Sequence, residues 1–370
     1  MKGGEELAAA LAAAYPELAE VAAAAPEPVY LVGGAVRDLL LGRHRADIDL
    51  VVEGDPAALA ASLGVEVTES HSRFGTLKVR LGEEELDIAA SRRERYARPG
   101  ALPEVELGAP IRTDLARRDF TVNAMAVPLA EPRELIDPYD GQVDLEAGVL
   151  RAIHPDSFVD DPTRAIRAAR YAARFGLAVE PETRRRLPAT DLSTVTPERR
   201  WSELRKLAEE ESGVRGLELL AGWGLVEPRP GGESFALARD VDRLMAGPPW
   251  SEEADRAEAI LAAALGPAPG CEPLVDATPA PSEGVSLARG RDPIELVLAR
   301  AAGATWLDDW LRWRAVRLDI GGADLTAAGL QGPAVGRALE AALAAKLDGE
   351  APTRADELRV ALATAAKHRR

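Results

Sequence analysis

The sequence predicts an α/β head, a mixed sheet with flanking helices over residues 1–150, followed by an all-α remainder. Three observations carry this. Up to about residue 150, short apolar runs rich in β-branched residues alternate with brief helical stretches and Gly punctuation. From Asp161 onward, apolar residues at 166, 169, 173 and 177 recur at helical spacing, and Ala, Leu, Arg and Glu dominate, so 155–370 reads as largely helical. The chain has 370 residues, about twice a usual domain, so two or more cores are expected.

The elements follow in order. Residues 1–25 read as one Ala-rich helix, and 29–32 as a strand entering the Gly33-Gly34 turn. Residues 36–41 read as a brief helix stopped by Gly42, 48–52 as a second strand, and 56–63 as a helix stopped by Gly64. Residues 65–68, 74–81 and 85–89 alternate as strands do. The Arg-rich stretch ASRRERYARPGALPEVELG (90–108), with its Pro and Gly, reads as a loop. NAMAVPL (123–129) and ELIDPYDGQVDLEAGVLRAI (134–153) continue short strands and turns, with Asp140-Gly141 a turn signal. Three regions are expected: the head over 1–150, helices over 151–226, and a further helical region over 227–370, with Pro- and Gly-rich loops at 227–233 and 266–285.

Composition narrows the function. One cysteine (Cys271) and four scattered histidines supply neither a disulfide framework nor a Cys/His zinc site, and a reducing cytoplasm is the expected setting. Acidic residues at 5, 6, 17 and 20 interrupt the Ala-rich start, so neither a signal peptide nor a membrane span is expected. The net charge of −16 runs against nucleic-acid binding. Locally, residues 151–206 hold twelve Arg and Lys against eight Asp and Glu. Such a stripe can still track a phosphate backbone, because charges act over roughly a Debye length of about 8 Å.

The chemistry concentrates in a few places. Asp47 and Asp49 flank Ile48 at the start of an apolar strand, and the period of two puts both carboxylates on one face. Such a pair beside a phosphate site suits one or two Mg²⁺ ions. Gly33-Gly34 precede a helical turn whose free N–H groups can receive a triphosphate, with Arg37 adding charge. Asp87, in the strand-like ELDIAAS run, offers a third carboxylate as metal ligand or general base, and Glu85 shares its face.

The stretches YLVGGAVRDLLLGRHRADIDLVVEGD (30–55), RRDFTVNAMAV (117–127), SFVDDPTRAIRAARYAARFGL (157–177) and ERRWSELRKL (198–207) occur in the order and character of one family. Together they resemble the class II CCA-adding enzymes and bacterial poly(A) polymerases, members of the DNA polymerase β-like nucleotidyltransferases. The resemblance covers roughly residues 28–226, including RGLELLAGWGLVEP (215–228). It implies a nucleotidyltransferase head followed by neck, body and tail helices, and template-independent addition of C or A to the 3′ end of tRNA from CTP and ATP. By position it implies that Asp47 and Asp49 bind the catalytic Mg²⁺ and that Gly33, Gly34 and Arg37 hold the triphosphate. Arg118, Asp119 and Asn123 fall in the sugar-recognition motif, where Asn and Asp can satisfy hydroxyls and Arg can pair with phosphate.

In the same way Asp161 and Arg164 would act as a protein template for the incoming base, and Arg167 and Arg170 lie on the same stretch and join the nucleotide-binding set. Asp161 before Pro162 would equally serve as a helix cap. The stretch 90–108 resembles the family's flexible loop, and Asp160 stands where the pattern often has Glu. Trp201 reads as a buried residue on a bracing helix. Arg184, Arg185 and Arg186 either grip tRNA phosphates or form a solvated face. No protein partner is evident. Enzymes adding only CC, only A, or poly(A) share these motifs. An inactive RNA-binding relative would lack the intact acidic pair.

Overall fold

The structure, a computed structural model, describes residues 4–43, 48–71, 75–230, 235–266 and 271–367. The chain divides into two compact units, Met1–Val226 and Glu227–Arg370.

The first unit begins with α1 (Gly4–Ala14) and α2 (Leu18–Ala24), followed by β1 (Val29–Val32), α3 (Gly34–Leu40), β2 (Ile48–Val52) and α4 (Pro56–Leu63). Next come β3 (Glu66–His71), β4 (Thr76–Leu81), β5 (Glu84–Ala90), β6 (Arg92–Arg95), β7 (Glu104–Leu107), α5 (Ile111–Ala116) and β8 (Ala126–Pro128). Then follow α6 (Gly141–Glu146), β9 (Val149–Leu150), α7 (Ser157–Asp160), α8 (Thr163–Phe175), β10 (Ala178–Val179), α9 (Pro181–Arg186), α10 (Pro197–Glu209) and α11 (Gly213–Gly222). Six strands form one mixed sheet in the order β3-β4-β5-β2-β1-β8, in which β2 and β5 run parallel and the other neighbours antiparallel.

Strand periodicity sorts this sheet into two faces. Leu50, Leu31, Leu86 and Ile88 are fully or almost fully buried, and α4 packs on β4 and β5. Val32 and Val51 pack instead with Ile111 and Leu115 of α5, and Tyr30 and Ala89 join them. Asp49 and Asp87 lie two residues before Val51 and Ala89, so they share the face that α5 covers. Local signals bound α4: the Asp55 carboxylate accepts from Ala57 N–H at 2.9 Å, Pro56 opens the helix, and Gly64 closes it at φ 66°.

The sequence missed four local features of this unit. In place of one helix over 1–25, the described residues hold two, Gly4–Ala14 and Leu18–Ala24, bent by 107°, because Pro16 follows Tyr15 and cannot continue the hydrogen-bond ladder. The stretch 90–108 contains a two-stranded antiparallel ribbon, β6 with β7, tied across by Arg93 and Glu106 at 3.2 Å. It looks like a solvated loop because β6 (Arg92–Arg95) has no apolar residue and only Val105 and Leu107 of β7 alternate with charge. Asp140-Gly141 does not join two strands: Asp140 takes φ 56° and Gly141 begins α6. Trp201 is 47 % exposed rather than buried, since the buried stripe of α10 begins one turn later at Leu204 and continues through Leu207 and Ala208.

The second unit is helical among its described residues: α12 (Ala236–Leu244), α13 (Arg256–Leu265), α14 (Glu272–Val275), α15 (Pro281–Ala288), α16 (Pro293–Ala301), α17 (Leu307–Trp313), α18 (Gly322–Ala327), α19 (Pro333–Leu347) and α20 (Arg354–Lys367). The expected loop at 266–285 therefore holds α14 and the start of α15. Leu325, Leu330, Ala338, Ala342 and Ala361 form one core, beside which the fully buried Glu357 accepts from Lys346 at 2.7 Å and from the Asp319 and Ile320 amides. No single helix among the described residues is long and apolar enough to cross a membrane.

Candidate active site

A cavity of about 810 Å³ opens in the first unit. Gly33, Gly34, Arg37, Arg118, Asp119, Asn123, Asp161, Arg164, Arg167 and Arg170 all line it, together with Asp49. Nine arginines and seven carboxylates contribute to the wall, so the lining is net positive inside an acidic chain.

Helix α8 supplies four of the nine arginines. Its Ala165, Ile166, Ala168, Ala169 and Ala172 are buried, while Arg164, Arg167, Arg170 and Arg174 recur every three or four residues and reach the cavity. Gly176, at φ 67°, ends the helix.

Opposite lies the turn between β1 and α3. Gly33 adopts φ +64°, and a Cβ there would sit 2.6 Å from Arg118 Nη1, so only glycine lets this arginine close over the turn. Arg37, almost fully buried, donates to Asp38 at 2.8 Å and to Asn123 Oδ1 at 2.7 Å, and its guanidinium lies 4.1 Å from the centre of the Phe175 ring. Asn123 in turn donates to Asp119 Oδ1 at 3.1 Å.

Asp119, 6 % exposed, also accepts from Phe120 N–H at 2.9 Å and from Arg167 Nε and Nη2 at 2.8 and 2.7 Å. These four bonds use the acceptor capacity of a carboxylate. Asp119 thus braces Arg167 and Asn123. Burial raises its carboxyl pKa, but Arg167 and Arg164 with the bonds from Asn123 and Arg167 outweigh this and hold it below the ordinary value.

A second carboxylate missing from the sequence reading does the same one turn away. Asp114, with no exposed side-chain surface, pairs with Arg117 at 2.8 Å and with Arg118 at 3.2 Å. Burial raises its pKa, Arg118 and Arg117 more than reverse that, and the net shift is downward. Its spacing to both arginines, i to i+3 and i+4, is the signal that was there to find.

At the far end of the cavity, Asp161 Oδ1 accepts from Thr163 N at 3.1 Å, from Thr163 Oγ1 at 2.7 Å and from Arg199 Nη2 at 3.2 Å. Asp161 therefore does cap the start of α8 while it lines the cavity, and all three bonds fall on Oδ1. Arg164 Nη1 donates to Ser157 Oγ at 2.9 Å and contacts His154 Nε2 at 3.3 Å, and Nη2 donates to the Arg117 carbonyl at 2.6 Å. Arg199 also donates to the Gly100 carbonyl at 2.9 Å, and Gly100 N–H donates to the Asp160 carbonyl, so the turn between β6 and β7 is fastened to the segment before α8. Tyr96 and Glu94 of that ribbon line the cavity, joined by a 3.0 Å hydrogen bond.

Asp49 lines this cavity and a neighbouring one of about 330 Å³ that also holds Glu69, Lys78 and Asp87. Asp49 and Asp87 are direct partners across the parallel strands β2 and β5. Glu85 shares the face of Asp87 and pairs with Arg80 at 3.2 Å, while Asp87 lies 3.9 Å from Lys78; the strand register sets Asp87, not Glu85, directly beside Asp49. Asp47 lies outside the described residues. Among those described, no group of three ligating side chains is disposed to hold a metal ion. An oxygen-only pair suits a hard divalent cation, which takes one or two carboxylates and completes its shell with substrate phosphate and water.

Arg184, Arg185 and Arg186 stand apart on α9. Arg185 and Arg186 pair with Glu182, and Arg184 is exposed.

Residues 29–151 match the family described as the poly A polymerase head domain. Over 218 residues the chain is 41% identical to the A-adding tRNA nucleotidyltransferase of Halalkalibacterium halodurans, which covers 55% of this chain and 50% of the relative. The chain thus spans about half the length of that relative. Over 349 residues it is 37% identical to the CC-adding tRNA nucleotidyltransferase of Deinococcus radiodurans, covering 90% of this chain and 88% of the other. A solved apo structure of a CCA-adding enzyme superposes with a TM-score of 0.83 at 26% identity, over 97% of this chain and 98% of that one.

Proposed function

The chain belongs to the tRNA nucleotidyltransferase family, and on that premise we propose that it adds C, A or both to the 3′ end of tRNA from CTP and ATP, releasing pyrophosphate. The observation that carries the reading is the gathering of all ten expected nucleotide-binding residues with Asp49 around one arginine-lined cavity.

Each group then has a task. Arg118, held by Asp114 and closed over Gly33, and Arg37, held by Asp38, face the triphosphate with guanidinium groups already fixed in place. Asp119 keeps Arg167 and Asn123 in position beside the sugar. Asp161 Oδ2 and Arg164 supply acceptor and donor groups to the Watson–Crick edge of the base. The tRNA 3′-hydroxyl gives up its proton to Asp87 as general base and attacks the α-phosphorus, a new P–O bond forms, the bond to the β-phosphate oxygen breaks, and pyrophosphate leaves. Asp49 with Asp47 would hold Mg²⁺, with Asp87 as the neighbouring third carboxylate. Bound Mg²⁺ supplies charge neutralisation for such an in-line displacement. Arg184 to Arg186 and the second unit would meet tRNA through its backbone and shape rather than its sequence. A buried free Cys271 fits a reducing, cytoplasmic setting.

A second reading, addition of CC alone, has one observation in its favour: the relative matched along 90% of this chain is named CC-adding. Purified protein is given tRNA transcripts ending before CCA, after C and after CC, with each labelled NTP in turn. C and A incorporation at the matching ends is expected. Failure to extend the CC-ended transcript with ATP hands the protein to the CC reading, and no incorporation at any end overturns both.

A further inference from the structure

His154 touches the guanidinium on which base selection rests in the proposed function. A guanidinium carries five N–H donors and no acceptor, so the 3.3 Å contact between Arg164 Nη1 and His154 Nε2 is a hydrogen bond only when Nε2 bears no proton. As a hydrogen bond, this contact requires the neutral imidazole with its proton on Nδ1.

The other two acceptors on Arg164, Ser157 Oγ and the Arg117 carbonyl, keep their character at any ordinary pH. The imidazole does not. Protonated, it places a second cation against Arg164, which is itself almost fully buried. We propose that His154 is a positioning residue for base selection, holding Arg164 through its bare Nε2 and letting it go when the ring is protonated. The proposal rests on the reading of Asp161 and Arg164 as the groups that select the base.

The surrounding charges set where this happens. Burial of the ring and Arg164 of α8 disfavour the imidazolium, Asp160 of α7 and the adjacent Asp156 favour it, and Arg186 of α9 opposes it again. The balance lies below the ordinary 6.5, so the hydrogen bond is intact at neutral pH and is lost as pH falls through the lowered value of the folded protein. The triphosphate-facing Arg37 and Arg118 bond to other partners, so their contribution is common to all four nucleotides and cancels in a selectivity ratio.

The test is kcat/KM for CTP, ATP, UTP and GTP on tRNA lacking CCA, at pH 7.5 and at the acid pH where nitrogen NMR shows the His154 ring protonated, for the wild type, H154Q, H154A and R164A. Preference for CTP and ATP in the wild type is expected to fall by roughly fivefold in acid, the lower end of what a base contact contributes. H154Q keeps an oxygen acceptor that does not titrate, so its preference should stay at the wild-type neutral value at both pH values. H154A should be relaxed at both. A flat wild-type ratio, or an equal fall in H154Q, overturns the role of His154. Wild-type selectivity in R164A overturns the base-selection reading instead, so the two failures are told apart. Nitrogen NMR of the four histidines, with H154Q assigning the signal, gives a readout free of activity: Nδ1–H with bare Nε2 at pH 7.5 is expected, and the opposite tautomer refutes the proposal.

Discussion

Removing the Asp119 carboxylate should cost the first unit about 2–5 kcal/mol, and the structure shows where that comes from. Asp119→Ala strands the Phe120 N–H, in a residue with no exposed surface, which costs about 1–3 kcal/mol. It also takes away the partner of Arg167. Breaking a fully buried pair costs roughly 3–5 kcal/mol, but the Arg167 side chain is 30 % exposed and water reaches it, so about 1–2 kcal/mol is the appropriate share. At about 2–4 °C per kcal/mol for a unit of this size, the melting transition should drop by about 4–20 °C. The transition to follow is the one that CTP raises, which identifies the nucleotide-binding unit. A double-mutant cycle with Arg167→Ala should show coupling of at least about 1 kcal/mol. A drop of under 2 °C, or strict additivity with Arg167→Ala, refutes the account of Asp119 as the brace of this network.

Other outcomes follow from the same geometry. Gly33→Ala puts a methyl group 2.6 Å from Arg118 Nη1 at φ +64°, and kcat/KM for CTP should fall roughly tenfold or more with a loss of only about 1–3 kcal/mol in stability; an unchanged kcat/KM refutes the closure of Arg118 over this turn. Asp49→Ala should abolish transfer with the fold retained, and near-normal turnover with Mg²⁺ sinks the metal assignment. The lowered pKa values of Asp114 and Asp119 mean that the stability they contribute is complete above the ordinary 3.8 and drains away as pH falls through their lower folded values; a urea midpoint constant between pH 6 and pH 2.5 contradicts this. Reversing the charge of Arg184, Arg185 and Arg186 together should flatten the salt dependence of tRNA binding by about 0.7–0.9, the value for one phosphate contact, because two of the three already pair with Glu182; an unchanged slope makes them a solvated face.

The fold was legible where local chemistry and tertiary context agree. The apolar strands β1, β2 and β5 announce themselves by pattern, and α4 by Pro56 at its start and Gly64 at its end. The ribbon β6–β7 was not legible, because Arg92, Arg93, Glu94 and Arg95 have no apolar alternation and pair through cross-strand charge and the backbone ladder. Trp201 misled for the opposite reason: a large apolar residue on an amphipathic helix suggests burial, yet only the neighbouring helices decide where the buried stripe begins.

The candidate site was legible to the extent that its residues sit on one turn or one helix. Arg164, Arg167 and Arg170 declare a common face by spacing alone, and they do share the cavity. What spacing could not reveal is which carboxylate serves which arginine. Asp38 holds Arg37, Asp114 holds Arg117 and Arg118, and Asp119 holds Arg167 from 48 residues away. That pairing also reconciles a net charge of −16 with the anionic substrate of the proposed function. Carboxylates placed behind the arginines, in surroundings that exclude water, neutralise the cost of gathering so many guanidinium groups and fix their directions. A triphosphate at the cavity wall then meets oriented donors at hydrogen-bond range, whereas charges elsewhere on the protein are screened over about 8 Å at physiological salt. Total charge thus reports on long-range steering, and under the proposed function the acidity of this chain predicts slow encounter with tRNA without forbidding nucleotide binding.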